Sequence, residues 1–488
     1  LCFLILLKGL RFHYIALFTC LVFLIILKFQ SYGVEGGMDS WQHFLISKLA
    51  IKHPELLLDQ WNKPVFTLMT VLVAQGGMDA LIYFNILCVT LGAFLFALAA
   101  NNAGFKNSWL IIPFTVFMPE LFLNVISGLT EPLSLLLVAI FTWLWSKNNY
   151  RSALILAGFL PFVRTEGFVI DGAIVLLAIY DKQLRKLPWM LIGLLFMNTL
   201  GFAITGQLFW VITENPYWKH EVSGTFDPGS GNLFHFVHLA RQMFGISLTV
   251  LTVLGIGCLI FNVFKKRSVP NLILFAFCAF ILYFSAHSLI YYLGILGSHG
   301  LTRPMALLSP FIALLSFYAI QVMLNSFKFA HSEKLQIVLA LIVVFNAYRE
   351  TKFPLPVQIN RVAIPFDKTQ INFVKAGEWL KNNHLLDRVI VHQSPFFNCY
   401  FDKDPYDTKS SYYIWSIDQK NDWSNDFTIV VWDGFSAKRE GNMPLEWLQN
   451  NSHFKEIHFI EGHEKPADDP QRYDIHIFEK VPLWLKSK

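Results

Sequence analysis

The sequence predicts a polytopic α-helical membrane protein of about 11 transmembrane helices with a small C-terminal α/β soluble domain. Three observations lead there. Of the 488 residues, 54% are hydrophobic and 15% charged, against about 25% charged in an ordinary soluble chain. The charges are unevenly spread: they are sparse up to residue 350 and return at ordinary density from Lys352 onward. The apolar runs of the first part are also long enough to cross hydrocarbon, which takes roughly 20 helical residues. The expected domains are therefore a transmembrane part over 1–350 and a soluble part over 351–488.

The candidate crossings centre on 13–29, 80–100, 109–126, 130–146, 152–164, 167–180, 188–208, 245–264, 271–293, 304–324 and 334–348. The runs at 152–164 and 167–180 are short for spans, so tilted or re-entrant helices are expected there. Lys8 and Arg11 precede the first run as they would in a signal peptide. No small-residue cleavage site follows, and the run is read as a retained span.

Basic residues collect in short cytoplasmic loops. With the N-terminus inside, alternation puts Lys8 and Arg11, Lys106, Lys147 and Arg151, Lys182 to Lys186, Lys265 to Arg267, and Lys328 and Lys334 all on the cytoplasmic side. The opposite, periplasmic side then receives the loops 31–64 and 213–244 and the soluble domain. The stretch 65–75 is apolar but only half a span, and is expected to form a partly embedded helix on the outer face.

The net charge of +5 is scattered through loops, and no basic patch with interleaved aromatics points to nucleic acid. Of the six cysteines only Cys399 falls in the soluble part, so no disulfide framework or paired-cysteine metal site is available there. No phosphate-binding glycine loop, dinucleotide fingerprint, metalloprotease helix or serine-hydrolase elbow is present. In the soluble part 388–392, 427–432, 457–460 and 473–478 read as strands, and 369–382 and 444–451 as helices.

Ionisable residues at a membrane edge are functional candidates by default, because charge in lipid is costly. Asp39, in Gly36-Gly37-Met38-Asp39-Ser40, is either a helix cap or a base able to take a proton from an attacking hydroxyl. Lys63, in Trp61-Asn62-Lys63-Pro64 at the start of an apolar helix, either snorkels to headgroups or joins the helix N-terminus in holding a phosphate.

Glu131, in Gly128-Leu129-Thr130-Glu131-Pro132, either caps its own helix or faces a cavity together with Arg164. Arg164 and Glu166, in Arg164-Thr165-Glu166-Gly167, can neutralise each other locally. Arg303, at the outer start of a late span, is either an interfacial anchor or a planar fork for a phosphate. In the loop 213–244, Trp218, Lys219, His220, Glu221, Asp227, His235, His238 and Arg241 are placed to cover a cavity. His235 and His238 lack the nearby carboxylate pattern of a metal site and read as surface residues.

Taken in order, these motifs resemble the GT-C fold, polyprenyl-phosphate-dependent transferases that include bacterial aminoarabinose transferases and protein O-mannosyltransferases. The likeness runs over residues 10–325 and rests on Asp39 in the first outer loop, on Asn62-Lys63-Pro64 before an aromatic-containing helix, on Thr130-Glu131-Pro132, on Arg164-Thr165-Glu166-Gly167 and on Arg303 before a proline. It departs at Asn62, where some relatives carry an acid, and in the tail, which has no recognisable sugar-specificity motif.

The resemblance implies a glycosyltransferase of a bacterial inner membrane, with a sugar on a polyprenyl phosphate as donor and a glycan, lipid or protein hydroxyl as acceptor. It assigns Asp39 as the base of an inverting transfer and Lys63 and Arg303 to the departing phosphate, with Glu131, Arg164 and Glu166 also in the substrate site and no metal or other cofactor required. Two other classes stand beside it. A transporter or flippase for a lipid-linked glycan is expected to show paired half-repeats, which the sequence lacks, and a noncatalytic assembly subunit is compatible with the tail.

Overall fold

The computed structural model describes residues 2–216, 230–327, 332–350, 364–414 and 428–481. The expectations placed on Trp218, Lys219, His220, Glu221, Asp227 and Lys328, and on Phe427 within its strand, lie outside the described residues. The chain groups into two compact units. The first is built within 1–36, 57–218 and 228–364, and the second chiefly from 37–56 and 365–488.

The first unit is helical. Among the described residues, six helices are long and apolar enough to cross a membrane: Leu10–Gln30, Met78–Asn102, Leu184–Thr205, Ile246–Phe264, Asn271–Leu293 and Arg303–Asn325. Shorter apolar helices cover Glu131–Ser146, Tyr150–Phe162 and Gly167–Tyr180, the last two where short spans are expected. Ser332–Glu350 is helical as well.

The run 109–126 is not one helix. It breaks into Ile111–Val116 and Pro119–Asn124, because Pro119 holds Met118 in an extended conformation with ψ 127 and removes the N–H that would carry the helix on. The half-span after Lys63 is Pro64–Thr70 followed by a 3-10 turn at Val73–Gly76.

Small residues let these helices touch through their backbones, which is how helices associate where lipid tails are as apolar as leucine. A Cβ on Gly193 would lie 2.3 Å from the carbonyl carbon of Gly158, and one on Gly158 would lie 2.0 Å from the carbonyl oxygen of Met190. Across the first helix, Lys28 pairs with Asp79 at 2.8 Å.

The second unit carries a five-stranded sheet in the order β2-β1-β3-β5-β4. Its strands are β1 (Ile390–His392), β2 (Ser411–Tyr413), β3 (Ile429–Asp433), β4 (Phe454–Ile460) and β5 (Ile475–Lys480). β1 runs parallel to β2 and β3, whereas β5 is antiparallel to β3 and β4, with a bulge between Glu456 and His458. Val391, Val430, Trp432, Met443 and Phe478 form the core beneath it, and the Trp432 indole donates to the Met443 carbonyl at 2.8 Å. Helix Lys368–Asn382 starts on a capping box made by Asp367 and Gln370.

Gly37–Leu56 belongs to this unit rather than to the helical one. Helix Gly37–Leu49 buries Trp41, Phe44 and Leu45, and Trp41 meets Phe396 edge to face at 5.0 Å. The Gly193→Val variant is expected to lower the thermal midpoint of the detergent-purified protein, since overpacking costs about 1–3 kcal/mol. By contrast, Gly257→Ala, whose new methyl meets nothing within 4 Å, leaves the midpoint unchanged or raises it.

Candidate functional site

Lys63 sits at the end of a tight turn. Asp59 accepts the Asn62 amide at 2.6 Å, and the Asn62 side chain donates to Thr67 at 2.7 Å. The turn holds Lys63 at φ 73 and ψ 111, a left-handed conformation costing a non-glycine residue about 1–3 kcal/mol. Its side chain is buried, and the ammonium donates to the Gln60 carbonyl at 2.7 Å and to the Thr165 hydroxyl at 2.8 Å. Burial pulls its pKa down to about 8, with Glu166 and Asp59 opposing and Arg164 adding to the fall.

Pro64–Thr70 is only seven residues long, so the ammonium rather than a helix dipole is the main positive charge there. A cleft opens beside it, with Gln60, Thr165 and Asn215 as polar walls and Phe162, Phe168 and Val211 as apolar ones.

Arg164 lies between two carboxylates. It reaches Glu131 at 2.6 Å through one terminal nitrogen and Glu166 at 2.6 Å through the other, and it donates to Thr130 at 3.1 Å. Glu131 therefore both stands in the first turn of its helix and faces the arginine. His287 stands 3.8 Å from Glu166, against the Tyr283 ring at 4.7 Å between centroids, and the Tyr283 hydroxyl donates to the Pro304 carbonyl at 3.1 Å. Burial works to raise the Glu166 pKa, but Arg164 and His287 hold it down to about 2. Thr165, between these ion-pairing residues, joins the cluster to Lys63.

Arg303 makes a second grouping in the same unit. It donates to the Gly36 carbonyl at 3.3 Å and lies in the field of Glu35 and of Glu120. Glu35 is fixed through its backbone, donating to Ile126 at 2.7 Å; burial is the main cause that raises its pKa, while the Gly36 amide and Arg303 oppose it. Glu120 is buried on the short helix after Pro119 and bonded to Thr302. Neither glutamate is singled out by sequence, although Glu120 is a lone acid flanked by apolar runs, which is itself the usable signal.

Asp39 falls in the second unit, in the first turn of Gly37–Leu49. Next to it, the Ser436 hydroxyl donates to the Met38 sulfur at 3.3 Å. Asp433 accepts the amides of Phe435, Ser436 and Ala437 at 3.1, 2.6 and 3.1 Å, and so caps the helical turn Ser436–Arg439. Glu440 closes that turn, its pKa pushed up to about 8 by burial, then by Asp39 and Asp433. Sequence reasoning misses it because it is distant along the chain and in no motif.

His235 bonds the Gly300 carbonyl at 3.0 Å. Among the described residues no three His, Cys, Asp or Glu side chains are grouped as a metal site requires. Of the residues singled out by sequence, Lys63, Glu131, Arg164 and Glu166 come together, Arg303 stands with Glu35 and Glu120, and Asp39 stands with Glu440 and Asp433.

No protein-family model matches the sequence, and no curated protein does. Solved structures do match. The chain is a polytopic membrane protein of the GT-C fold. It is similar to ArnT, the aminoarabinose transferase, from Cupriavidus metallidurans bound to undecaprenyl phosphate, at 11% identity and TM-score 0.59 over 97% of this chain and 99% of that one. The apo state of the same protein matches at 11% identity and TM-score 0.58, with 97% of each chain covered. The oligosaccharyltransferase of Archaeoglobus fulgidus in its apo form matches at 11% identity and TM-score 0.47, over 81% of this chain and 65% of that one. At such identities the likeness is one of fold.

Arg164→Ala strands Glu131 and Glu166 without their cation and is expected to cost about 3–5 kcal/mol, read as a lower thermal midpoint. Arg164→Lys, a point charge that cannot fork between two carboxylates, recovers only part of the loss.

Proposed function

We propose that this chain is an inverting membrane glycosyltransferase that moves a sugar from a polyprenyl phosphate to an acceptor hydroxyl at the periplasmic face of a bacterial inner membrane. The observation that carries the reading is Lys63: a buried ammonium on a strained backbone, opening on a cleft with both polar and apolar walls. The fold supports the reading, since the similar ArnT structure is bound to undecaprenyl phosphate.

In this reaction the acceptor oxygen attacks the anomeric carbon from the side opposite the phosphate. Its proton passes to a carboxylate, the new C–O bond forms as the bond to the phosphate oxygen breaks, and the polyprenyl phosphate departs with both electrons. The resemblance gives the base role to Asp39. Lys63 and Arg303 offset the charge that develops on the leaving phosphate, so two fixed cations do the work for which other transferases use a metal, and none is required. The Arg164 cluster has no net positive charge to offer a phosphate and instead fixes the wall of the cleft.

Purified protein supplied with a polyprenyl-phosphate sugar and an acceptor is expected to transfer the sugar with inversion. Asp39→Asn is expected to slow transfer by about a hundredfold or more, the usual size of general-base catalysis, and Lys63→Ala to raise the donor KM. Transfer that survives both changes unaltered rejects the site assignment.

The lowered Lys63 pKa also sets a pH dependence. Burial favours the neutral amine, so the ammonium that attracts phosphate is lost as pH rises through about 8. Undecaprenyl phosphate binding is therefore expected to weaken above that pH, and Lys63→Arg, always protonated, to hold its affinity to higher pH.

A further inference from the structure

Lys63 has a long, rotamer-rich side chain, and an ammonium on four methylenes marks a precise position only if something holds it. The Gln60 carbonyl and the Thr165 hydroxyl both hold it. The Gln60 carbonyl, at 2.7 Å, belongs to the same turn. The Thr165 hydroxyl, at 2.8 Å, comes from a part of the chain 102 residues away.

Thr165 is itself well placed to act as a fixed point. Its neighbours Arg164 and Glu166 are paired with each other at 2.6 Å, and Arg164 is tied across to Glu131 at 2.6 Å and to Thr130 at 3.1 Å. The backbone between them has little room to move, and Thr165 lines the cleft together with Lys63. A hydroxyl carries one donor and two acceptor sites. Thr165 accepts from the lysine, and among the described residues no bond is found in which its own hydrogen is donated to another group.

We infer that Thr165 is a positioning residue for the proposed transfer, aiming the Lys63 ammonium at the carrier phosphate and turning its own hydroxyl hydrogen toward the same phosphate oxygens. This rests on the reading of Lys63 as a phosphate ligand. It gives the ion pairs around Arg164 a part in substrate binding: they hold Thr165, and Thr165 holds the lysine. Valine keeps the β-branched shape and removes both hydrogen bonds, whereas serine keeps both.

Binding of undecaprenyl phosphate to the full chain in detergent micelles tests this, with Thr165→Val, Thr165→Ser, Lys63→Ala and the Thr165→Val/Lys63→Ala pair, each checked for an unchanged elution profile and thermal midpoint. Thr165→Val is expected to weaken binding by about tenfold or more, in line with a hydrogen bond to a charged group, and Thr165→Ser to stay within about twofold, since its hydroxyl makes the same bonds. In the Lys63→Ala background the valine substitution is expected to cost much less than it does alone, because coupled residues are non-additive.

Full additivity of the two substitutions, or unchanged affinity in Thr165→Val while Lys63→Ala weakens binding, overturns the inference and leaves the proposed function standing. Unchanged affinity in Lys63→Ala instead rejects the assignment of Lys63 and, with it, the inference.

Discussion

Arg164 cannot leave Glu131 and Glu166 without stranding charges among apolar helices that solvate none of them, and much of the polar geometry of the first unit follows from that. An isolated buried charge costs several kcal/mol even after relaxation. The guanidinium answers it with a planar fork, one nitrogen to each carboxylate at 2.6 Å. The turn at 164–166 is thereby tied to the helix that starts at Glu131, and Thr165, caught in that turn, reaches Lys63 at 2.8 Å. A strained lysine and a pocket wall are thus tied to an ion-paired group centred on Arg164.

This arrangement separates two uses of charge. The Arg164 group sets one guanidinium against two carboxylates and works as scaffold. Lys63 keeps its proton less firmly than an exposed lysine, and that makes it responsive to a bound anion. Arg303, with Glu35 and Glu120 in its field, lies between these cases, its charge partly balanced by those carboxylates.

Much of the fold is legible in the sequence because hydrocarbon imposes a length on apolar runs. Met78–Asn102, Ile246–Phe264 and Asn271–Leu293 stand where the runs are. The run 109–126 misleads because its hydropathy is continuous, while the backbone is interrupted by Pro119. In the second unit β3 and β5 carry recognisable β-branched runs, but β2 is three residues without alternation and exists only because β1 offers it a partner.

The site divides in the same way. Lys63, Glu131, Arg164 and Glu166 are visible as charges out of place in apolar surroundings. Glu120 and Glu440 acquire meaning from neighbours distant along the chain, and the hydroxyl of Thr165 from a lysine far before it. No local pattern encodes such pairings.

At one end of the sheet, β4 pairs among the described residues with β5 alone. Open edges of this kind invite a second chain to add a strand. Here Lys455 and Glu456 are exposed along it, and the irregularity between Glu456 and His458 breaks the regular spacing that a newcomer would need. A protein kept crowded in two dimensions meets copies of itself far more often than one dissolved in water. A charged, kinked border is therefore a safeguard against fibrous self-association, while the central strands β1 and β3 are buried on both faces.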